Sequence, residues 1–348
     1  MKRLILLIVL LAALPLPIGA GAAEYTAPTV PQEGAAYMPQ ERDSFGSALW
    51  ELAGKVLAEL RPDLRAAASS CLGVFAGVLA ASILALIPGD TKRAVQMVLT
   101  LAVSAALLGT THSMVRLGAD TVREMSDYGK LLFPVMTAAM AAQGGVTTSA
   151  ALYTGTTIFN TVLSGLIASI LVPLVYLFLA LAVANSAVGE GALKKLRDLV
   201  KSALSWCLKT VLTVFTAYMS ITGVVSGATD AATLKATKVT ISSVVPVVGG
   251  ILSDASEAVL VSAGLMKSAA GVYGILAILA VFLSPFLRLG VQYFVLKGTA
   301  AVCGVFATGP ATELIEDFSA AMGLLLGMTG AAAVMLLIST ACFLRGVA

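Results

Sequence analysis

Leu49, Leu52, Val56, Leu60 and Leu64 recur at helical spacing while Glu51, Lys55, Glu59 and Asp63 fall elsewhere on the wheel. Residues 45–65 therefore read as an amphipathic helix whose end is bent by Pro62. Such a helix lies on a membrane surface, meets a partner, or packs on the protein's own core. Residues 66–87 are uncharged, long enough for one crossing of a hydrocarbon layer about 30 Å thick, and end at Pro88-Gly89-Asp90 before Lys92 and Arg93. A second crossing is expected over 94–111. The stretch 115–130, carrying Arg116, Asp120, Arg123, Glu124, Asp127 and Lys130, is expected at the outer surface. Residues 131–142 are apolar again, but too short for a span. They hold Pro134 and end at Gln143-Gly144-Gly145, the pattern of a re-entrant or broken helix.

No ionisable residue occurs between Val146 and Val188, and Pro173 divides that stretch into two apolar halves, each near spanning length. Lys194, Lys195, Arg197, Lys201 and Lys209 then surround Leu193, Leu196, Val200 and Leu204 in a basic amphipathic helix that runs into a span over 211–225. Such a cluster belongs at a cytoplasmic interface, held by anionic lipid or docking a cytoplasmic partner. Pro134 and Pro173 recur as Pro246 and Pro285 at a displacement of 112, and Val98-Leu99-Thr100 recurs as Val211-Leu212-Thr213 at 113. The shared displacement predicts an internal duplication, with copies at 94–206 and 207–318. In the second copy Pro246-Val247-Val248-Gly249-Gly250 repeats the broken design, and Asp254 and Glu257 follow it directly. Backbone opened by proline and glycine at membrane depth must be buried in protein or line a wet cavity, which makes Pro134, Gly144, Gly145, Pro246, Gly249 and Gly250 candidate functional positions. Asp254 and Glu257 are candidate functional residues as well: they pair with Lys267 or Arg288 or face a wet pathway, the alternative being an ordinary exposed loop. Gly73/Gly77, Gly223/Gly227 and Gly323/Gly327 have the small-xxx-small spacing of close helix contacts, for which internal packing is the expected use. Glu313, Glu316 and Asp317 precede a last span at 320–343.

The N-terminus adds a leader. Lys2 and Arg3, an apolar run over 4–14, and Pro15 and Pro17 ahead of Ala20-Gly21-Ala22 make residues 1–22 a cleavable signal peptide. Residues 23–44, with Pro28, Pro31 and Pro39, then form a flexible extracytoplasmic lead-in. Residues 66–348 form one polytopic membrane domain. Composition agrees: mean hydropathy is +0.95 and only 12% of residues are charged, against about 25% in a soluble domain. Losing Lys2 and Arg3 takes the net charge from +3 to +1, which removes nucleic acid as a partner. Cys71, Cys207, Cys303 and Cys342 are scattered singly in or beside apolar runs, and the lone His112 has no second histidine, so neither a disulfide framework nor a metal site is expected. The phosphate loop, the zinc-protease helix and nucleophile–histidine pairs are all missing from the sequence. The reading is a non-enzymatic, all-α polytopic protein without cofactor. An extracytoplasmic N-terminus puts Lys92/Arg93 and the cluster 194–201 on the cytoplasmic side, 23–60 and 116–130 outside, and an odd number of crossings between Lys130 and Gly189.

Phe133-Pro134-Val135-Met136 with Gly144-Gly145, Tyr153-Thr154-Gly155-Thr156, and Ser226-Gly227-Ala228-Thr229-Asp230 leading to 245–254 with its Pro-Val-Val-Gly-Gly-Ile-Leu-Ser-Asp run resemble the stage III sporulation protein AE family. The resemblance implies a subunit of a channel or feeding-tube complex in the mother-cell membrane around the forespore. Implied partners are the other stage III A proteins, including a cytoplasmic ATPase, and a forespore protein Q. The residues alone leave a second class open, a self-contained secondary transporter with its site between the two broken segments.

Overall fold

In the computed structural model, residues 28–39, 45–84, 92–142, 146–188, 193–221, 269–306 and 309–345 are described, and no strand occurs among them. The helices are α1 (Gln32–Ala35), α2 (Phe45–Leu84), α3 (Lys92–Ala142), α4 (Val146–Leu166), α5 (Val172–Val188), α6 (Lys194–Ile221), α7 (Ala269–Phe306) and α8 (Pro310–Arg345), with a π-helical turn over Ile167–Leu171 joining α4 to α5. Among the described residues, six long segments are apolar enough to cross a membrane, α4 and α5 counting as one.

Side-chain contacts fix how these rods run. Asn160 donates to the Ser126 carbonyl at 3.0 Å and His112 meets the Tyr176 hydroxyl at 2.8 Å, so α3 and the α4–α5 rod are antiparallel. Phe159 packs on Phe215 and Tyr218, and Tyr218 donates to the Ala151 carbonyl at 3.1 Å, which turns α6 back along the rod. Gly118 lies against both Leu325 and Leu289, Gly274 lies against Leu132, and Phe133 meets Phe343, so α8 runs parallel to α3 and α7 antiparallel to it. Asp63 pairs with Arg288 at 3.0 Å and Cys71 accompanies Thr299, making α2 parallel to α7. The six rods thus alternate in direction. Leu84, Lys92, Val188, Lys194, Phe306 and Pro310 gather at one end, here the basic end, and Phe45, Ala142, Val146, Ile221, Ala269 and Arg345 at the other.

The centre is α8. Of its most apolar stretch 94% is buried inside the protein, against 22% for α2 and 33% for α3, and it touches α3, α4, α5, α6 and α7. A helix hydrophobic all round is stable only when enclosed. The amphipathic helix expected at 45–65 has its docking settled: Leu52, Val56 and Leu60 are buried, and the segment packs along α7 as the first half of one continuous helix through Pro62.

Several expectations change. Residues 131–142 are the last three turns of α3, not a separate short element, because the helix continues through Pro134. Proline removes the N–H that would meet the Lys130 carbonyl, and the Thr137 hydroxyl reinforces the turn by donating to the Phe133 carbonyl at 2.7 Å. The stretch 115–130 belongs to the same helix: Val115, Val122, Met125 and Tyr128 point inward while the charges face out. Pro173 does not split 146–188 either. The π turn widens the helix just before the ring, which lets the rod pass the proline, and its 43 residues come to about 64 Å. The lead-in is docked over 28–39: Val30, Tyr37 and Met38 pack on the core, Gly34 abuts Val281, and the Tyr37 hydroxyl bonds Glu59 and, at 3.2 Å, Ser284. Burial and the Glu59 bond raise the Tyr37 phenol above its ordinary pKa. Gly73 and Gly77 meet no side chain, whereas Gly323 does pack, against Tyr293. Cys71, Cys303 and Cys342 are buried free thiols and Cys207 is partly buried, as expected of core thiols. Gly144, Gly145, Pro246, Gly249, Gly250, Asp254, Glu257 and Lys267, and with them the second broken segment, lie outside the described residues.

Candidate functional site

At the basic end, α8 starts with Pro310 as its first helical residue, a position where the missing N–H costs nothing. Gly309 accepts from the Thr312 and Glu313 amides at 3.1 and 3.2 Å, and the Ser186 hydroxyl donates to the Pro310 carbonyl at 3.0 Å, tying the end of α5 to the start of α8. Glu313 stands in the first turn, where the helix dipole favours a carboxylate. Asp317 is one turn further, so the two carboxylates share a face and repel.

Arg197 of α6 enters between them. Its Nη1 donates to Asp317 Oδ2 at 2.6 Å and Glu313 Oε1 at 3.0 Å, while Nε and Nη2 reach Asp198 Oδ1 at 3.1 and 3.0 Å. Lys194 Nζ adds a contact to Glu313 at 3.2 Å. The cluster is graded from inside to outside: side-chain exposure is 6% for Arg197 and 8% for Asp317, 35% for Glu313 and 54% for Asp198. One forked guanidinium thereby donates to three carboxylates at once, a geometry that the compact ammonium of Lys does not reproduce. The arrangement holds two helix starts in register. It contains no nucleophile paired to a base, and among the described residues no group of His, Cys, Asp and Glu is placed to hold a metal.

The basic cluster is therefore divided. Arg197 is turned into the protein, while Lys194 and Lys195 are exposed and Lys201 is half-buried. The inward stripe is Arg197, Val200 and Leu204. Leu196, expected on the apolar face, is instead exposed, as is Leu199. Arg288, considered as a partner of Asp254 or Glu257, is paired with Asp63. The Arg197–Glu313–Asp317 cluster escapes a reading of the sequence that treats all cations of 194–201 as one face. The signal was available: Arg197 sits three residues before Val200 and seven before Leu204, on the apolar stripe, and the acid pair at 313 and 317 opens an apolar helix. Asn160, buried against Ser126 where Gly129 leaves room for its amide and for Leu336 of α8, is a second polar anchor that periodicity does not flag.

Pro134 sits in the last three turns of α3, away from the basic end, and joins no polar group of this cluster. Gly155, within the Tyr153-Thr154-Gly155-Thr156 run, has a structural role: the Tyr218 ring occupies the place a Cβ would take.

The family model for stage III sporulation protein AE matches residues 44–345. A curated stage III sporulation protein AE from Bacillus subtilis (strain 168) is 25% identical over 213 residues, a match covering 61% of this chain and 53% of that protein, so the chain is aligned with about half the length of its relative. No solved structure matches. With nearly all of the chain after residue 43 accounted for by one family model, the protein belongs to the stage III sporulation protein AE family.

Proposed function

We propose that this chain is a non-enzymatic, integral membrane subunit of a multiprotein transenvelope channel, or secretion-like complex, that links mother cell and forespore and supports forespore gene expression. The observation that carries the reading is the family match over residues 44–345. Its place is the mother-cell membrane around the forespore, with the basic end in the mother-cell cytoplasm. Its partners are the other stage III A proteins, including a cytoplasmic ATPase, and the forespore protein Q system. Two features support this orientation. Lys92, Arg93, Lys194 and Lys195 all belong to the same end of the bundle, as the cytoplasmic excess of Lys and Arg requires. Exposed charges on Arg116, Asp120, Arg123, Asp127 and Lys130 stand towards the opposite end. In this reading Lys194, Lys195 and Lys201, with exposed Leu196 and Leu199, form the cytoplasmic interface for lipid headgroups or the ATPase, while Arg197 holds that surface to the core. The candidate positions Pro134, Gly144, Gly145, Pro246, Gly249, Gly250, Asp254 and Glu257 are retained as those whose substitution affects conduction.

The test is a deletion strain scored for forespore gene expression, paired with purification of the tagged chain in mild detergent. Loss of forespore expression together with a stable stoichiometric complex is the expected result. Ion-coupled solute uptake by the chain alone in vesicles, without a complex, would replace this reading with that of a self-contained secondary transporter.

A further inference from the structure

The outward face of α2 carries Trp50, Leu57 and Leu64 at heptad spacing, residues that are 82%, 63% and 48% exposed. Three large apolar groups seven residues apart make one stripe along about 21 Å of helix. Its level in the bundle is fixed by α7. Asp63 meets Arg288, next to the Leu289 that faces Gly118, and Tyr37 joins Glu59 to Ser284. The stripe therefore stands beside residues 118–132 of α3, the stretch that exposes Asp120, Arg123, Asp127 and Lys130. Hydrocarbon does not tolerate such a row of exposed charges, so this face of the bundle meets water. Lipid cannot cover the stripe lengthwise either, because α2 passes through it into its apolar half as one helix packed along α7.

Its charges are biased. Every acid of the amphipathic half of α2 is answered within the chain: Glu51 by Lys55 at 2.8 Å, Glu59 by Tyr37, and Asp63 by Arg288. Arg61 and Arg65 are exposed, and no acid among the described residues pairs with either. Arg61 lies four residues after Leu57 and three before Leu64, within the stripe, and Arg65 borders it. A second copy would bring the same surplus of arginine to face these arginines.

We infer that the Trp50–Leu57–Leu64 stripe with Arg61 and Arg65 is a docking face for an acidic amphipathic helix of a partner protein on the far side of the membrane from the basic end. Apolar anchors at heptad spacing seat a helix in parallel or antiparallel register, and the flanking arginines select Glu or Asp beside the partner's seam. The inference does not depend on the cytoplasmic interface or on what the complex conducts.

The test is photo-crosslinking in native membranes from the full chain carrying Leu57→p-benzoylphenylalanine, with the adduct sequenced by mass spectrometry. The expected adduct is a segment with an apolar heptad seam and flanking acids. Its yield should fall about five- to tenfold in Arg61→Glu/Arg65→Glu, and recover when those acids are changed to Lys. Arg61→Gln/Arg65→Gln, which keeps the stems, should give a smaller fall and serves if the reversed variant does not accumulate. An adduct with lipid only, with a second copy of this chain or with a segment lacking acids, or a yield unchanged in both variants, would overturn the proposal.

Discussion

Arg197 allows a sharp energetic test. Its guanidinium is buried and donates to Asp317, Glu313 and Asp198, so Arg197→Met removes the only buried positive charge of the cluster while keeping much of the stem's volume. It leaves Asp317, 8% exposed, one turn from Glu313 with no buried counter-charge. Removing one partner of a buried pair costs about 3–5 kcal/mol. Asp317→Asn should cost less, about 1–3 kcal/mol, because Arg197 keeps Glu313 and Asp198 and the amide still accepts a hydrogen bond. Glu313→Gln, at a carboxylate 35% exposed and screened by water, should cost no more than about 1 kcal/mol. The decisive variant is the double one, Arg197→Met/Asp317→Leu. Apolar replacement of a whole buried pair is often neutral, so the double should recover most of the loss caused by Arg197→Met alone. The assay is a thermal melt of detergent-purified protein followed by size-exclusion chromatography, read as the ranking of four midpoints against the parent. The reasoning fails if Arg197→Met melts with the parent, or if the double variant loses as much as Arg197→Met alone.

Gly155→Ala should push Tyr218 aside and break its bond to the Ala151 carbonyl, costing about 1–3 kcal/mol, whereas Tyr218→Phe should cost only about 0.5–1.5 kcal/mol; melting midpoints of the two variants check the order. Asn160→Ala should destabilise the α3–α4 pair by about 1–2 kcal/mol, seen as faster amide exchange around Ser126 than around the basic end. Asp63→Asn, at a pair 34% and 41% exposed, should shift the melt by no more than about 1 kcal/mol, in contrast to Arg197→Met. Single cysteines introduced at Lys195 and Arg123 should be labelled by a membrane-impermeant maleimide from opposite faces, and labelling of both from outside would refute the orientation proposed here.

Hydropathy made the membrane class and all-α fold legible because a mean hydropathy of +0.95 leaves no other solvent. It misplaced helix ends for a consistent physical reason. Charge and proline look like helix ends in the sequence, yet α3 carries its charges outward on one side through 115–130 and tolerates Pro134, and the π turn absorbs Pro173. Length in a bilayer and length of a helix are different quantities when the helix extends beyond the lipid. The cluster at the basic end was half legible. Counting cations located it, and the spacing of Arg197 to Val200 and Leu204 sets it on the apolar stripe, but only packing shows that Glu313 and Asp317 meet it there. The stripe on α2 was hidden by its own neighbours: Leu64 counts towards an amphipathic face in the sequence, whereas the inward face is Leu52, Val56 and Leu60.

The burial of α8 also carries a consequence for biogenesis. This helix, enclosed by α3, α4, α5, α6 and α7, is the last of the described helices to leave the ribosome. The five that surround it reach the membrane with their inner faces unfilled, and lipid or a chaperone must stand in until α8 arrives. Packing of the interior thus waits until α8 has been made, and a chain interrupted before Pro310 leaves inserted helices with an open core for a membrane protease to recognise.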